Sequence, residues 1–160
     1  MTDQPPLAEI LPPELKELRW KPLLSFFLNI NKPYDVADRR ISTIAGGYFE
    51  GERLRGKILF GNDWQVVRKD GAVVIDVRAL LETDDGEQIS MKYQGLRHGD
   101  PAILAALGRG EPVNPLAYYM RVSVMFETSS EKYGFLNDLV AVAHGHRLAA
   151  GAIYNVFELV

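Results

Sequence analysis

The chain has 160 residues, of which 47% are hydrophobic and 24% charged, and it contains no cysteine. This length predicts one domain with enough chain to bury a core unaided. The absence of cysteine excludes disulfide bonds, thiolate catalysis and Cys-ligated metals. The 18 basic and 21 acidic residues give a formal net charge of -3. That balance argues against binding to nucleic acid, which normally requires a basic excess.

The first twenty residues differ in composition from the rest. Residues 1–13 are rich in proline and are predicted to form an arm, followed by a short helix over Glu14–Trp20. We therefore assign residues 1–20 to an arm with a short helix and residues 21–160 to a single folded domain. The start lacks the basic region of a secretory signal, and no nearby apolar stretch is long enough to span a bilayer. We expect a cytoplasmic protein that does not bind membranes.

One apolar strand is predicted near the start of the domain, and from Arg40 onward short strands are predicted between turn signals. The pairs Asp70-Gly71 and Asp85-Gly86 are typical of tight hairpin turns, in which positive φ favours glycine. The predicted strands cover about 23–30, 64–69, 72–83, 87–94, 118–128, 135–143 and 151–159.

One helix interrupts the strands. Asp100 is a good N-terminal cap, Pro101 suits the first helical position, and Gly108 suits the end. With seven to nine strands and no parallel crossover, the sequence predicts an all-β fold, a closed antiparallel meander β-barrel with one or two short helices. A two-sheet sandwich is the alternative.

Two predicted strands have one apolar face and one mixed face, because side chains alternate with a period of two. In residues 74–83 the apolar face carries Ile75, Val77, Ala79 and Leu81, and the mixed face carries Asp76, Arg78, Leu80 and Glu82. In residues 118–128 the apolar face carries Tyr118, Met120, Val122, Val124 and Phe126, and the mixed face carries Tyr119, Arg121, Ser123, Met125 and Glu127.

Either face is a candidate for the barrel lumen. In the simpler arrangement the apolar face forms the core and the mixed face meets solvent, as in most antiparallel sheets. In the inverted arrangement the mixed face lines the lumen, and the outward apolar face is covered by another subunit, since monomers rarely expose such a patch. The inverted arrangement predicts a homo-oligomer, a dimer or larger. The sequence leaves both arrangements open.

Common catalytic and cofactor motifs are missing from the sequence. His144 and His146 have a spacing found in some metal sites, but the residues around them are typical of a turn, so no metal site is predicted. No serine lies in a nucleophile motif, and no glycine pattern leads into a helix as dinucleotide and phosphate sites require. We predict no metal and no cofactor.

The remaining chemistry rests on carboxylates, arginines and phenols. Asp76 or Glu127, if buried, is the predicted catalytic base. Arg121 is the predicted partner of an anionic ligand, and Arg78 is a second cation for a carboxylate or enolate. Aromatic walls and hydrogen-bond donors complete the predicted ligand site, from Trp64, Tyr93, Tyr119 and Tyr133. Each of these residues also has a structural interpretation, since a buried Arg–Asp pair can simply brace a barrel.

Short motifs in a fixed order resemble one family. They are Gly46-Gly47-Tyr48-Phe49-Glu50-Gly51, Asn62-Asp63-Trp64-Gln65, Tyr93-Gln94-Gly95-Leu96-Arg97, Tyr118-Tyr119-Met120-Arg121 and Tyr133-Gly134-Phe135-Leu136-Asn137. The set resembles the bacterial family catalogued as domain of unknown function 3237, over roughly Leu23–Val160. Positions that match its pattern are Glu50, Arg55, Trp64, Thr83, Tyr93, Arg121, Glu127, Tyr133 and Asn137. Phe135 stands where the family often has tryptophan.

The resemblance implies a small antiparallel β-barrel that commonly self-associates and has no agreed activity, and it adds Asn137 to the candidate ligand-binding residues. We expect the lumen to bind a small, partly apolar molecule that bears a carbonyl or carboxylate, since the mouths of small barrels are common ligand sites. Cofactor-independent isomerase, cyclase or lyase chemistry is a subcase of this hypothesis. The alternative is a non-catalytic structural or interaction protein with a filled barrel.

Overall fold

The computed structural model describes residues 4–160. A short helix, α1 (Leu7–Ile10), and a 3₁₀ turn (Pro13–Leu15) precede the barrel. The strands that follow are β1 (Trp20–Ile30), β2 (Tyr34–Val36), β3 (Arg39–Glu50), β4 (Arg55–Val67), β5 (Val73–Thr83), β6 (Gln88–Gly99), β7 (Tyr118–Glu127), β8 (Ala141–Leu148) and β9 (Gly151–Leu159). Helix α2 (Pro101–Gly108) lies between β6 and β7, and 3₁₀ turns at Pro115–Ala117 and Gly134–Asp138 flank β7.

The strands form one antiparallel meander that closes on itself. Strands β3 to β9 pair in chain order, and β1 pairs with β9 on one side and with β3 on the other. Strands β1 and β3–β9 therefore make a closed eight-stranded barrel, and β2 adds to β3 outside the ring. Closure pairs the edges that an open sheet would leave exposed. The predicted fold class is confirmed.

The predicted turns and α2 are formed as their local chemistry requires. Gly71 and Gly86 have φ values of 84 and 88, the conformation that favours glycine in these hairpins. The side chain of Asp100 accepts a hydrogen bond from the backbone N–H of Ala102 at 2.8 Å, and Pro101 occupies the first turn. No helix among the described residues is long and apolar enough to cross a membrane.

Two local predictions are wrong. The helix expected over Glu14–Trp20 is not formed: only a 3₁₀ turn ending at Leu15 is present, and β1 begins at Trp20, whose ring packs edge-on against Phe157 of β9 with centroids 4.9 Å apart. The strand expected at 135–143 is a 3₁₀ turn followed by β8, and β8 includes the histidine pair that the sequence placed in a turn. Pairing with a distant strand overrides the local pattern in both places. The first three residues of the predicted arm lie outside the described residues.

The apolar faces line the barrel interior. Ile75 and Val77 are each 1% exposed and Val124 is 0% exposed, whereas Arg78 on the opposite face of β5 is exposed. The inverted arrangement is therefore wrong. An eight-stranded barrel is just wide enough for its own side chains, and filling it with aliphatic groups removes the most apolar surface from water.

The two ends of the barrel differ. We call the end formed by loops 51–54 and 84–87 and by the turn Gly134–Asp138 the closed end. There Leu136 is fully buried in the core. We call the opposite end the mouth; it is covered by α2, which places Leu107 in the core. Towards the mouth the buried inward-facing residues include Ser42 and Asp63.

Candidate functional site

The residues predicted for the site do not come together in the lumen. Asp76 and Arg78 lie on the outer face of β5, where Asp76 accepts a hydrogen bond from Gln94 at 3.3 Å. Glu127 is exposed on the outer face at the end of β7. Their expected position inside the barrel is wrong because the opposite faces of both strands fill it.

The predicted anion partner also lies outside. Arg121 donates a hydrogen bond to the carbonyl of Met120 at 2.9 Å, and its guanidinium lies over the ring of Tyr119 at 5.1 Å. Both line an open groove on the outer surface, with His144. Trp64 is 46% exposed on the outer face of β4. A ligand role for these residues stays a prediction, but not in the lumen.

The other three predicted residues face inward or brace the closed end. Tyr93 lies in the lumen and is 1% exposed. The hydroxyl of Tyr133 donates to Asp85 at 2.8 Å. The side chain of Asn137 bonds both the backbone N–H and the carbonyl of Thr128, at 2.8 and 2.9 Å. Tyr133 and Asn137 therefore hold loops in place far from Tyr93.

A cavity of about 230 Å³ opens at the mouth. Its apolar wall includes Leu104 and Leu107 of α2 and Val73 of β5. Its polar wall is formed by five side chains of the barrel strands, Arg40, Ser42, Gln65, Arg97 and Arg147. The volume lies slightly below the range of about 300–1,000 Å³ typical of drug-sized ligand sites, so it suits a small molecule.

A β-bulge aims a carboxylate at this end of the lumen. Ile58 of β4 faces inward, but the register shifts before Phe60, which is 60% exposed. Beyond the shift the odd-numbered residues face inward, so Asp63 lies between Ser42 of β3 and Val77 of β5. Without the extra residue, the alternation along β4 would turn Asp63 outward.

Asp63 is buried and incompletely bonded. It is 3% exposed, and its Oδ2 accepts a hydrogen bond from Gln65 Nε2 at 2.7 Å. Its Oδ1 has no hydrogen-bond partner among residues 4–160. Burial raises the pKa of Asp63 to about 6, and the hydrogen bond from Gln65, the nearby backbone N–H of Asp76 and the charges of Arg97 and Arg147 only partly offset that effect. A carboxyl with such a pKa changes its protonation state close to neutral pH.

Two arginines beside the cavity feel the charge of Asp63 but form no ion pair with it. Within the described part of the chain, neither Arg97 of β6 nor Arg147 of β8 forms an ion pair. Burial lowers the pKa of both guanidiniums, and the charge of Arg147 lowers that of Arg97 further. Both nevertheless stay charged, because arginine does not deprotonate in proteins. Arg40, the third cation of the cavity, pairs with Asp35 at 3.4 Å.

The strand end that carries Arg147 is anchored by a tyrosine. The hydroxyl of Tyr118 accepts the backbone N–H of Arg147 at 2.8 Å, and it lies 2.8 Å from His146 Nδ1. Since that hydroxyl already accepts one bond, donation of its own proton to His146 satisfies both groups.

Three aromatic side chains, Phe26, Tyr93 and Tyr154, pack together in the core of the barrel. The ring of Tyr154 lies 4.9 Å from that of Phe26 and 5.0 Å from that of Tyr93. Burial raises the pKa of both tyrosines above the ordinary value, and the nearby charge of Asp63 adds to the effect. Both phenols are therefore neutral around pH 7.

The arrangement combines a proton-transfer group with fixed positive charge. A carboxyl with a pKa near the working pH is suited to accept and return protons. The two arginines are placed to attract an anion or to stabilise developing negative charge. Among residues 4–160 no cluster of three or more His, Asp or Glu is placed to hold a metal ion.

Sequence reasoning missed Asp63, Arg97 and Arg147. Asp63 and Arg97 both lie within the motifs that resemble the family, and this position was the only signal in the sequence that could have identified them. The bulge that turns Asp63 inward involves partner strands and is not visible in the spacing of β4 alone.

Known proteins similar to this chain share its fold. A UPF0311 protein of Rhodopseudomonas palustris is 34% identical over 122 residues, covering 76% of this chain and 80% of the relative. The crystal structure of a conserved protein of unknown function from that organism superposes with a TM-score of 0.87 at 31% identity, covering 90% of this chain and 98% of the other. A beta-barrel like protein from Acinetobacter baumannii has a TM-score of 0.79 at 41% identity, covering 94% and 99%.

A more distant relative has an activity. The hydroalkoxylation enzyme phnH of Penicillium herquei is 29% identical over 111 residues, covering 68% of this chain and 60% of the enzyme. The sequence pattern of DUF3237, described as a protein of unknown function, matches residues 19–159. With that match spanning nearly the whole chain, the protein belongs to the DUF3237 family.

Proposed function

We propose that the mouth cavity binds a small, partly apolar molecule bearing a carbonyl or carboxylate, and that Asp63 transfers a proton on it without a cofactor. The observation that carries the proposal is Oδ1 of Asp63, which is buried without a hydrogen-bond partner near two arginines that form no ion pair. Burying a charge without a partner costs stability. Such groups cluster at functional sites, where the protonation state itself is used.

The chemistry follows from the charges. Ionised Asp63 accepts a proton from a C–H beside a carbonyl or from a hydroxyl of the bound molecule. Arg97 and Arg147 stabilise the negative charge that develops on the substrate oxygen. Return of the proton to another carbon completes an isomerisation or the addition of a hydroxyl across a carbon–carbon double bond, and loss of a leaving group completes an elimination. Each reaction balances without an oxidant or reductant.

The fungal relative supports this class of reaction. Hydroalkoxylation adds an O–H group across a carbon–carbon multiple bond, so one proton moves from oxygen to carbon. A relative with that name is consistent with acid–base chemistry in a barrel of this fold. Its substrate is not carried over to this chain.

Gln65 has a positioning role in the proposal. It lines the cavity and bonds Asp63 Oδ2, whereas Asp63 lies beneath the lining. A ligand that reaches Asp63 therefore displaces the side chain of Gln65 or passes beside it.

Deuterium incorporation from D₂O, followed by NMR, tests the proposal. The probes are 2,4-pentanedione, 2-oxobutanoate and 2-allylphenol, which present a neutral C–H acid, an anionic one and a hydroxyl near a double bond. We expect enzyme-dependent exchange or conversion of at least one probe, lost in Asp63→Asn and kept in Asp76→Asn, its control on the outer face. Equal activity in both variants, or none with any probe, would contradict the proposal.

The non-catalytic alternative rests on the closed half of the lumen, which side chains fill. It predicts no exchange and no ligand-induced shift at the mouth. Self-association stays a prediction, but its original reason fails, since the apolar faces of β5 and β7 point inward.

A further inference from the structure

The charge balance at the mouth is uneven. Three arginines line the cavity, and one of them, Arg40, is paired with Asp35. Arg97 and Arg147 remain, with Asp63 as the buried acid below them. Two like charges confined in one cavity repel each other and are poorly hydrated, so the charges of Arg97 and Arg147 favour the entry of a negative group.

This inference rests on the proposed function: we infer that the ligand of the mouth cavity is a small organic acid. Arg97 and Arg147 bind its carboxylate, and its binding causes Asp63 to take up a proton. Guanidinium groups match a carboxylate through paired, charge-assisted hydrogen bonds. A neutral carbonyl would leave both arginines without an anion.

The apolar wall selects the rest of the ligand. Leu104, Leu107 and Val73 line the cavity beside the arginines, so an acid with a compact apolar body fits both walls. Inorganic phosphate lacks that body and leaves the apolar wall in contact with water. The cavity of about 230 Å³ limits the acid to one ring or a short chain.

Proton uptake follows from the surroundings of Asp63. The groups that face it are Ser42 of β3, Gln65 of β4, Tyr93 and Arg97 of β6, Arg147 of β8 and Tyr154 of β9. The tyrosines are neutral and the arginines stay charged near pH 7. A carboxylate bound to both arginines adds negative charge near Asp63 and withdraws part of their offsetting effect, and both changes favour the protonated acid.

Calorimetric titration with benzoate tests the inference, with benzamide as the neutral probe of equal shape. At pH 7 we expect benzoate to bind and benzamide to bind at least about tenfold more weakly. Titrations in imidazole and HEPES, which differ in ionisation enthalpy, should show uptake of up to about one proton per benzoate. Asp63→Asn should keep or improve benzoate binding and abolish the uptake.

Arg97→Met and Arg147→Met should each weaken benzoate binding by about tenfold to hundredfold, while Arg19→Met, at an exposed residue just before β1 at the closed end, should not change it. Thermal melts check that each variant is folded, and Arg97→Lys serves as a second variant if Arg97→Met is not. Equal binding of benzoate and benzamide, no benzoate binding, or equal effects of all three arginine variants would overturn the inference.

The two proposals fail separately. Exchange of 2,4-pentanedione that depends on Asp63, without benzoate binding, leaves the proposed function and removes the organic-acid ligand. If benzoate binds through the arginines but no probe exchanges, the organic-acid ligand stands and the proposed proton transfer is contradicted.

Discussion

Two buried carboxylates face inward at opposite ends of this barrel, and their surroundings are opposite. Glu158 at the closed end is 6% exposed and forms ion pairs with Lys21, at 3.2 Å, and with Arg53. Asp63 near the mouth is 3% exposed, forms no ion pair within residues 4–160, and leaves one oxygen without a hydrogen bond. Arg53 is itself held by packing over the ring of Phe135 at 4.4 Å.

The difference is the one expected if Glu158 is a structural acid and Asp63 has the role proposed above. At the closed end the buried charge has two cationic partners, which offset the cost of burying it. At the mouth, two arginines lie near the buried acid but form no ion pair with it, and the cavity beside them is open to solvent. Proteins retain such costly groups mainly where activity uses them. Four experiments test whether the two ends differ as this comparison states.

The largest effect is expected from packing. Leu136→Ala at the closed end should lower the free energy of unfolding by about 2–5 kcal/mol, because this fully buried side chain leaves a cavity in a filled core. Leu107→Ala should cost clearly less, because Leu107 already borders an open cavity. Urea denaturation of both variants measures the difference. Equal losses would mean that the mouth is packed as tightly as the closed end.

Asp63→Asn should stabilise the protein at pH 8. The pKa of Asp63 is raised to about 6 in the fold from an ordinary 3.8, so the wild type loses stability as the pH rises through this interval. The loss amounts to about 3 kcal/mol above pH 6, at 1.36 kcal/mol per pH unit, and the variant avoids it. Unfolding at pH 4 and pH 8 checks the sign. If the variant is less stable than the wild type at pH 8, then another group in the fold must stabilise the ionised form of Asp63.

Glu158→Gln should have the opposite sign. It removes the charge that Lys21 and Arg53 bind, and we expect a loss of about 1–2 kcal/mol at pH 8, limited because both cations keep contact with solvent. The same denaturation experiment at pH 8 measures it. If Glu158→Gln also stabilises the protein, the two ends do not differ in the way their ion pairs indicate.

The smallest effect concerns single hydroxyl groups. Tyr118→Phe removes the acceptor of the Arg147 backbone N–H and should cost about 1 kcal/mol, with faster hydrogen exchange at that amide. Tyr133→Phe should cost less, because Asp85 keeps its bonds from Thr83 and Lys132. Equal costs would show that the strand end beside the mouth is anchored in other ways.

The sequence by itself determined the fold class, the hairpin turns and α2. The turns and α2 depend on neighbouring residues, such as glycine at positive φ in Gly71 and Gly86 or the cap at Asp100, so a short window contains the necessary information. The barrel was predicted from the number of strands and from the family resemblance, and no short window contains it. The sequence also determined that one face of β5 is apolar. The sequence did not determine which face lines the lumen. The mixed face, which carries Arg121 and Asp76 and was predicted to bind the ligand, forms the outer surface.

Only the tertiary structure decided where the chemistry lies. The bulge after Ile58 turns Asp63 inward, and closure of β1 onto both β9 and β3 brings β4, β6 and β8 around one space. Asp63, Arg97 and Arg147 are separated by tens of residues, and no local pattern relates them. Their meeting follows from strand register and barrel closure, because a shift of one residue in any of these strands reverses which side chains face the lumen.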